Sequence, residues 1–238
     1  MSAPNLVILT GAGISRESGL ATFRDPDGIW AKVRIEDVAT PEAFAQDPAR
    51  VHGFYNARRA QLRDASIQPN AAHRALADLD SRWPGGLLLV TQNVDDLHDR
   101  AGSRRLLHMH GELAKARCRH CEAVQPWPGD LSTADGCPAC GAGGSMRPHV
   151  VWFGEMPLHM EEIGAALDRC DIFVAIGTSG QVWPAAGFVA EVAQRALTIE
   201  ANLERTEGTR LFDQARHGPA TEVVPLLIQE LLATASRG

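Results

Sequence analysis

Thr10–Trp30 reads TGAGISRESGLATFRDPDGIW and follows directly on the apolar run Leu6-Val7-Ile8-Leu9. A short apolar strand that breaks on Gly11-Ala12-Gly13 is how an open α/β sheet brings backbone N–H groups up to a phosphate. The dinucleotide fingerprint then requires a third glycine three residues after the second, and an acidic residue about 20 positions on, at the end of a second strand. Here the next glycine is Gly19, and Glu36 and Asp37 follow a Pro-Asp-Gly turn rather than a strand. The glycines alone leave the ligand open. Ser15, Arg16 and Arg24 add polar and cationic groups where a diphosphate could approach, and Phe23 and Asp25 extend the loop over whatever binds.

Working outward, strand-like runs recur at Leu6–Leu9, Leu87–Val90, Leu106–Met109, Ile172–Ile176 and Leu197–Ile199. Helix-like segments lie among them at Asn70–Asp80, Asp95–Ala101, Met160–Arg169, Ala185–Arg195 and Glu222–Ala233. The alternation predicts an α/β fold, a mainly parallel Rossmann-like sheet with helices on both faces. Two stretches interrupt it: residues 25–69, punctuated by Pro26, Pro41 and Pro48, and the Gly- and Pro-rich residues 113–149. The expected division is a large domain from residues 1–25, 70–112 and 150–238, and a small one from 26–69 and 113–149.

The chain has 238 residues, 45% hydrophobic, which suits one large domain with a small satellite. A formal charge of −6 argues against a general electrostatic grip on nucleic acid or an anionic membrane. The opening MSAPNLVILTGAG has no positive leader, and its apolar run is too short for a signal peptide or a span, so a cytoplasmic protein is expected.

Cys118 and Cys121, then Cys137 and Cys140, form two Cys-x-x-Cys hooks separated by fifteen residues. In a reducing compartment such hooks are thiolate ligands, and four of them close a tetrahedron around Zn²⁺ with no position left for water. The metal is therefore expected to be structural. His120 between the hooks reads as a surface residue, and Cys170 as a small buried hydrophobe.

GAGIS, SGLATFRDPDGIW, TQNVDDLHDRAG, HMHGEL, the paired hooks, RPHVVWFGE, GTSGQVWPAAGF and GPATEVVP together resemble the successive motifs of the sirtuins, NAD-dependent protein lysine deacylases. They occur in family order over nearly the whole chain. The resemblance implies cleavage of the bond from nicotinamide to ribose rather than hydride transfer, which accounts for a loop that departs from the dehydrogenase rule. By resemblance, Gly11, Ala12, Gly13 and Ser15 approach the diphosphate, and Phe23 and Arg24 belong to a loop over the nicotinamide ribose. Ile14 and Asp95 line the nicotinamide pocket, with Gln92 and Asn93 near the ribose. Gly177, Thr178 and Ser179 follow a strand end as nucleotide contacts, and Asn202 and Ala220 match positions that meet the adenosine. His110 is the expected general base, since an imidazole accepts a hydroxyl proton near neutral pH. In the family mechanism the acyl oxygen attacks C1′ as nicotinamide leaves, and the base then activates the 2′-hydroxyl. The products are free lysine, nicotinamide and 2′-O-acyl-ADP-ribose. His108 shares a strand face with His110, so spacing alone does not separate the two; the Gly-Glu that follows His110 matches the family pattern.

Substrates are expected to be acylated-lysine proteins whose peptide adds as a strand between Val151–Glu155 and Gly180–Pro184, with Val151, Phe153, Gly154 and Val182 in contact. Tyr55 and Arg58, in FYNARR, are three apart in a helical stretch and could close on one ligand. A phenol and a guanidinium suit a carboxylate, and the pair resembles the class III branch that removes succinyl and malonyl as well as acetyl groups. Ala39 matches a position at the pocket floor where a small residue leaves room for the longer acyl chain. Rival readings are a deacetylase without acidic preference, a mono-ADP-ribosyltransferase that labels a protein, and a zinc ribbon that binds DNA in a salt-dependent way and releases no nicotinamide.

Overall fold

The computed structural model describes residues 3–20 and 33–235. The expected apolar runs become strands β1 (Leu6–Thr10), β2 (Leu87–Thr91), β3 (Leu106–His108), β7 (Ile172–Ile176) and β8 (Leu197–Asn202), with a further strand β9 (Gln214–His217) at the edge. β9 escapes a reading by hydropathy because its sequence, QARH, has no apolar run and needs none at an edge. These strands form one parallel sheet in the order β3-β2-β1-β7-β8-β9. The chain order reverses direction between β1 and β7, which opens a crevice at their C-terminal ends.

β1 is buried along its whole length because both sheet faces are covered. Leu6 and Ile8 face α3 (Ala71–Arg82) and α7 (Ala220–Ala235) through Leu76, Leu79, Leu227 and Ile228. Val7 and Leu9 point the other way, onto Ile163 and Leu167 of α5 (Met160–Asp168) and Phe188 and Val192 of α6 (Phe188–Val192). The expected helix Ala185–Arg195 is shorter than its pattern suggests: a 3-10 turn, Ala185–Gly187, precedes α6.

Pro41 and Pro48 open α1 (Pro41–Gln46) and α2 (Pro48–Leu62), where a missing N–H costs nothing, and Thr40 and Asp47 cap them by accepting from Ala43 and Arg50 N–H. A second sheet is antiparallel, in the order β5-β4-β6: β4 (Gly111–Cys118) is central, flanked by β5 (Val124–Pro126) and β6 (Met146–Val150). Arg59 joins α2 to this sheet, donating to the Leu113 and Lys115 carbonyls at 2.7 and 3.2 Å. Val38, Ala39, Phe44, Val51, Tyr55, Val150 and Trp152 pack together beneath it. Among the described residues no helix is long and apolar enough to cross a membrane.

Candidate active site

The two glycine loops meet at the β1/β7 crevice. Gly11 N–H donates to Ile176 and Gly13 N–H to Gly177, at 3.0 and 2.9 Å. A Cβ on Gly13 would lie 2.7 Å from Gly177 Cα, and one on Gly177, whose φ is +61°, would lie 2.5 Å from Ile14 N. These glycines are thus required first for the close approach of two backbones. Gly19 supplies a left-handed cap, φ +90°, to the 3-10 helix Ala12–Ser18, which is where a third glycine is needed in this geometry. Among the described residues, the N–H groups of Ala12, Thr178 and Ser179 at this edge donate to no protein group. Free N–H groups at the C-terminal edge of a parallel sheet suit a diphosphate.

A buried polar wall stands behind the loop. Ser15 Oγ donates to Asp95 Oδ2 at 3.0 Å and accepts from Asn93 Nδ2 at 3.1 Å. Asn93 Nδ2 also reaches the Gly11 carbonyl at 3.2 Å. His73 Nε2 lies 3.4 Å from Ser15 Oγ, and Asn70 Nδ2 donates to the Ile14 carbonyl at 2.8 Å. Burial pushes the Asp95 carboxyl up to about 6, against the Leu97 N–H and Ser15 hydroxyl that favour its ionised form. Burial pushes His73 down to about 4, so its ring is neutral. Asn70 and His73 carried no motif of their own; the only local sign is that Asn70 opens α3 as its cap.

The two histidines that spacing left together part company here. His108 is buried, with Nε2 at 3.0 Å from Asp99 Oδ2 and Nδ1 at 3.4 Å from the Asn93 carbonyl. Both partners only accept, so the two contacts are hydrogen bonds together only when both ring nitrogens carry a proton. His110 is partly exposed, and Nδ1 makes its one hydrogen bond among the described residues, to the Gln92 carbonyl at 3.0 Å. That carbonyl fixes the proton on Nδ1 and leaves the Nε2 lone pair available. Burial lowers the His110 pKa and outweighs the Gln92 hydrogen bond, which raises it, so the neutral ring is favoured.

On α2 Tyr55 is 3% exposed, and its hydroxyl accepts from Trp152 Nε1 at 3.0 Å. Burial pushes the phenol up to about 12, so it keeps a proton to donate. Arg58, one turn on in α2, lies over the Phe54 ring at 4.3 Å; burial lowers it to about 10, and it remains a cation. Trp152 is held in turn by Arg147, stacked 3.4 Å from its ring and paired with Glu155 at 2.6 and 2.9 Å. Arg147, Trp152 and Glu155 are the framework that sequence reading missed; RPHVVWFGE contains all three, but nothing in the string says that they touch.

Val151–Glu155, expected to flank the substrate strand, is not one extended run. Val151 N–H donates to the His110 carbonyl at 2.8 Å, and the chain then turns at Phe153-Gly154, where Glu155 N–H meets the Trp152 carbonyl and Gly154 has φ +90°. Phe153 N–H donates to the Ala39 carbonyl at 3.0 Å, joining the expected pocket floor to this segment. Phe153 is 49% and Trp183 75% exposed, and Val182 is exposed beside Trp183. Asn202, at the end of β8, donates to the Thr178 carbonyl at 3.0 Å, and Ala220 is the first residue of α7. Phe23 and Arg24 lie outside the described residues.

The four cysteine sulfurs lie within 4.8 Å of one another, with Cys118–Cys140 at 3.8 and Cys121–Cys137 at 3.7 Å. Ligands about 2.3 Å from a tetrahedral zinc are about 3.8 Å apart, so the set fits the ion. The His120 and Cys121 N–H groups point at Cys118 Sγ and the Ala139 N–H at Cys137 Sγ, as thiolates require. His120 is exposed, and Cys170 is buried.

A family profile described as "Sir2 family" matches residues 11–184. A protein of Bdellovibrio bacteriovorus named NAD-dependent protein deacylase is 59% identical over 96% of this chain and 97% of its own length. One of the same name from Escherichia coli strain K12 is 53% identical over 100% of this chain and 86% of its own. A solved Sir2 homologue in complex with NAD superposes with a TM-score of 0.88, at 39% identity, over 98% of this chain and 91% of that one. The parallel sheet, the four-cysteine cluster and these likenesses agree on one assignment: the chain belongs to the Sir2 family.

Proposed function

We propose that this chain is an NAD-dependent protein lysine deacylase that takes succinyl and malonyl as well as acetyl groups, acting on proteins with acylated lysines. The observation that carries the reading is the single-sided His110: its Nδ1–H is held by the Gln92 carbonyl and its Nε2 is available, beside the Ser15–Asn93–Asp95 wall. When bound, NAD supplies an electrophilic sugar carbon with nicotinamide as the leaving group. Ala12, Thr178 and Ser179 N–H groups hold the diphosphate, Gly11, Gly13 and Gly177 giving them their backbone approach. Gln92 and Asn93 orient the ribose, Ile14 and Asp95 bound the nicotinamide space, and Asn202 and Ala220 meet the adenosine. His110 Nε2 takes the ribose hydroxyl proton. Four thiolates, Cys118, Cys121, Cys137 and Cys140, hold a structural zinc with no open position for catalysis. The zinc-bearing and helical insertions, 26–69 and 113–149, form the small domain, and the cleft lies between it and the rest.

Acyl preference follows from Tyr55 and Arg58. A protonated phenol and a guanidinium on one face of α2, with Ala39 leaving room beneath, match a terminal carboxylate. Val151, Phe153, Gly154 and Val182 contact the peptide, the first through backbone beside His110.

Nicotinamide release with NAD and matched succinyl- and acetyl-lysine peptides tests both parts. Turnover of both is expected, and Arg58→Met should depress desuccinylation about ten- to hundredfold more than deacetylation, the worth of one charge-assisted hydrogen bond. Equal losses would remove the carboxylate assignment. ADP-ribose left on the protein instead of 2′-O-acyl-ADP-ribose would favour the transferase reading.

A further inference from the structure

His108 is a buried group beside the proposed base that the foregoing reading gives no task. Its ring spans two elements: Nε2 meets Asp99 Oδ2, on α4 (Leu97–Ala101), at 3.0 Å, and Nδ1 meets the Asn93 carbonyl at 3.4 Å. His110 takes the preceding carbonyl of the same loop, Gln92, at 3.0 Å. Two histidines from one strand end therefore grip two consecutive carbonyls. Between them they set the loop that bears Gln92, Asn93 and Asp95. We propose that His108 and Asp99 are a positioning pair: the ring, donating from both nitrogens, fixes the Gln92–Asp95 loop and through it the orientation and tautomer of His110.

The charges around the ring favour that state. Asp99 from α4 and Glu112 from β4 face it with negative charge, and Asp95 interacts with it across the loop. His98, also on α4, is kept neutral by burial and lies well below its ordinary value. Burial works against the charged His108 ring, but the Asp99 hydrogen bond and charge, Glu112 and the Asn93 carbonyl together raise its pKa. A raised value means that the doubly donating ring is complete at lower pH and is lost as pH rises through the folded value. Loss of one proton removes one of the two grips. The pair therefore predicts an alkaline limit to turnover that belongs to neither His110 nor substrate.

The inference rests on His110 as proton acceptor, and the experiment separates the two. The kcat–pH profile is measured at saturating NAD and acetyl-lysine peptide for the parent, Asp99→Asn and Asp99→Glu, with melting temperatures alongside. Asp99 is about half exposed, so neither substitution burdens the core. Asp99→Asn is expected to shift the alkaline limb to lower pH and to lower kcat about tenfold on that limb, with peptide KM and melting temperature little changed. Asp99→Glu, which restores the charge, should recover the parent limb. As a second probe, His108→Gln keeps a donor but cannot titrate, and its profile should lack the limb. An active parent whose profile superimposes on that of Asp99→Asn overturns the pair and leaves His110 standing. So does a pH-independent loss that tracks melting temperature. A parent that releases no nicotinamide with any acyl peptide overturns both readings.

Discussion

The crevice of the parallel sheet and the cysteine module are both built from tight turns, yet they are held by opposite means. At the crevice, Gly11, Gly13 and Gly177 let two backbones lock at 2.9–3.0 Å above a sheet buried on both faces. In the module the buried apolar cluster is Ala116, Cys118, Leu131, Cys137 and Met146, two of which belong to the four-cysteine set that fits zinc. One region is preorganised by packing; the other has little apolar mass, and its four cysteines offer an ion the place that a larger core would fill. The site draws on both: His110 lies two residues past β3, and the next residue, Gly111, begins β4 of the small sheet. Gly111 has φ +81°, and a Cβ there would meet the His149 carbonyl at 2.2 Å, so the junction has little room to adapt.

Metal removal should separate the regions most sharply. Chelation, or Cys137→Ser, is expected to withdraw on the order of 10 kcal/mol of metal-linked folding free energy from the module. Hydrogen exchange should then rise across residues 113–149 while β1, β2 and β7 remain protected. Uniform protection after zinc loss would mean that the module folds on its apolar contacts alone.

Gly177→Ala makes the converse attack. It adds a Cβ 2.5 Å from Ile14 N at a backbone with φ +61°, so the loops must part. We expect a loss of about 4 kcal/mol from strain and overpacking together, with weakened NAD binding and an intact zinc content. Calorimetry with and without NAD reads both quantities. Unchanged stability would show that the loops tolerate separation.

A smaller effect comes from Asp95, in the wall of the crevice. Its folded pKa of about 6 lies above the ordinary carboxylate value of 3.8. The folded state therefore holds more protons than the unfolded one between those values, and stability falls as pH rises through that window. At 1.36 kcal/mol per unit this amounts to about 3 kcal/mol. Denaturation of the parent and of Asp95→Asn should give a stability difference that shifts in the mutant's favour from pH 4 to pH 7. A pH-independent difference would place an ordinary carboxylate at this wall.

The legible part of the fold was what short-range pattern encodes. β1, β2, β3, β7 and β8 are apolar runs, and α3 and α5 begin and end within two residues of their sequence limits. β9 was missed because an edge strand needs no apolar signature, and Ala185–Arg195 was overdrawn because apolar periodicity continues where the backbone does not. Val151–Glu155 is expected from the resemblance to flank the substrate strand, yet it turns at Phe153-Gly154 because Glu155 is drawn back to Trp152 and Arg147.

The sequence by itself determined the family and a cysteine set that suits zinc, since spacing is a local property: two Cys-x-x-Cys hooks offer the same four thiolates whatever surrounds them, and ordered motifs survive as a string. Tertiary structure decided which group is free to act. His108 and His110 differ by two positions on one strand end, and only the acceptors supplied by Asp99, Asn93 and Gln92 distinguish the ring donating from both nitrogens from the ring with a lone pair to spare. The Ser15–His73–Asn93–Asp95 wall is likewise invisible along the chain, because its hydrogen bonds join residues 58 to 80 positions apart. A hydrogen bond acts over about 3 Å in space, and no local pattern records where the folded chain brings its partners.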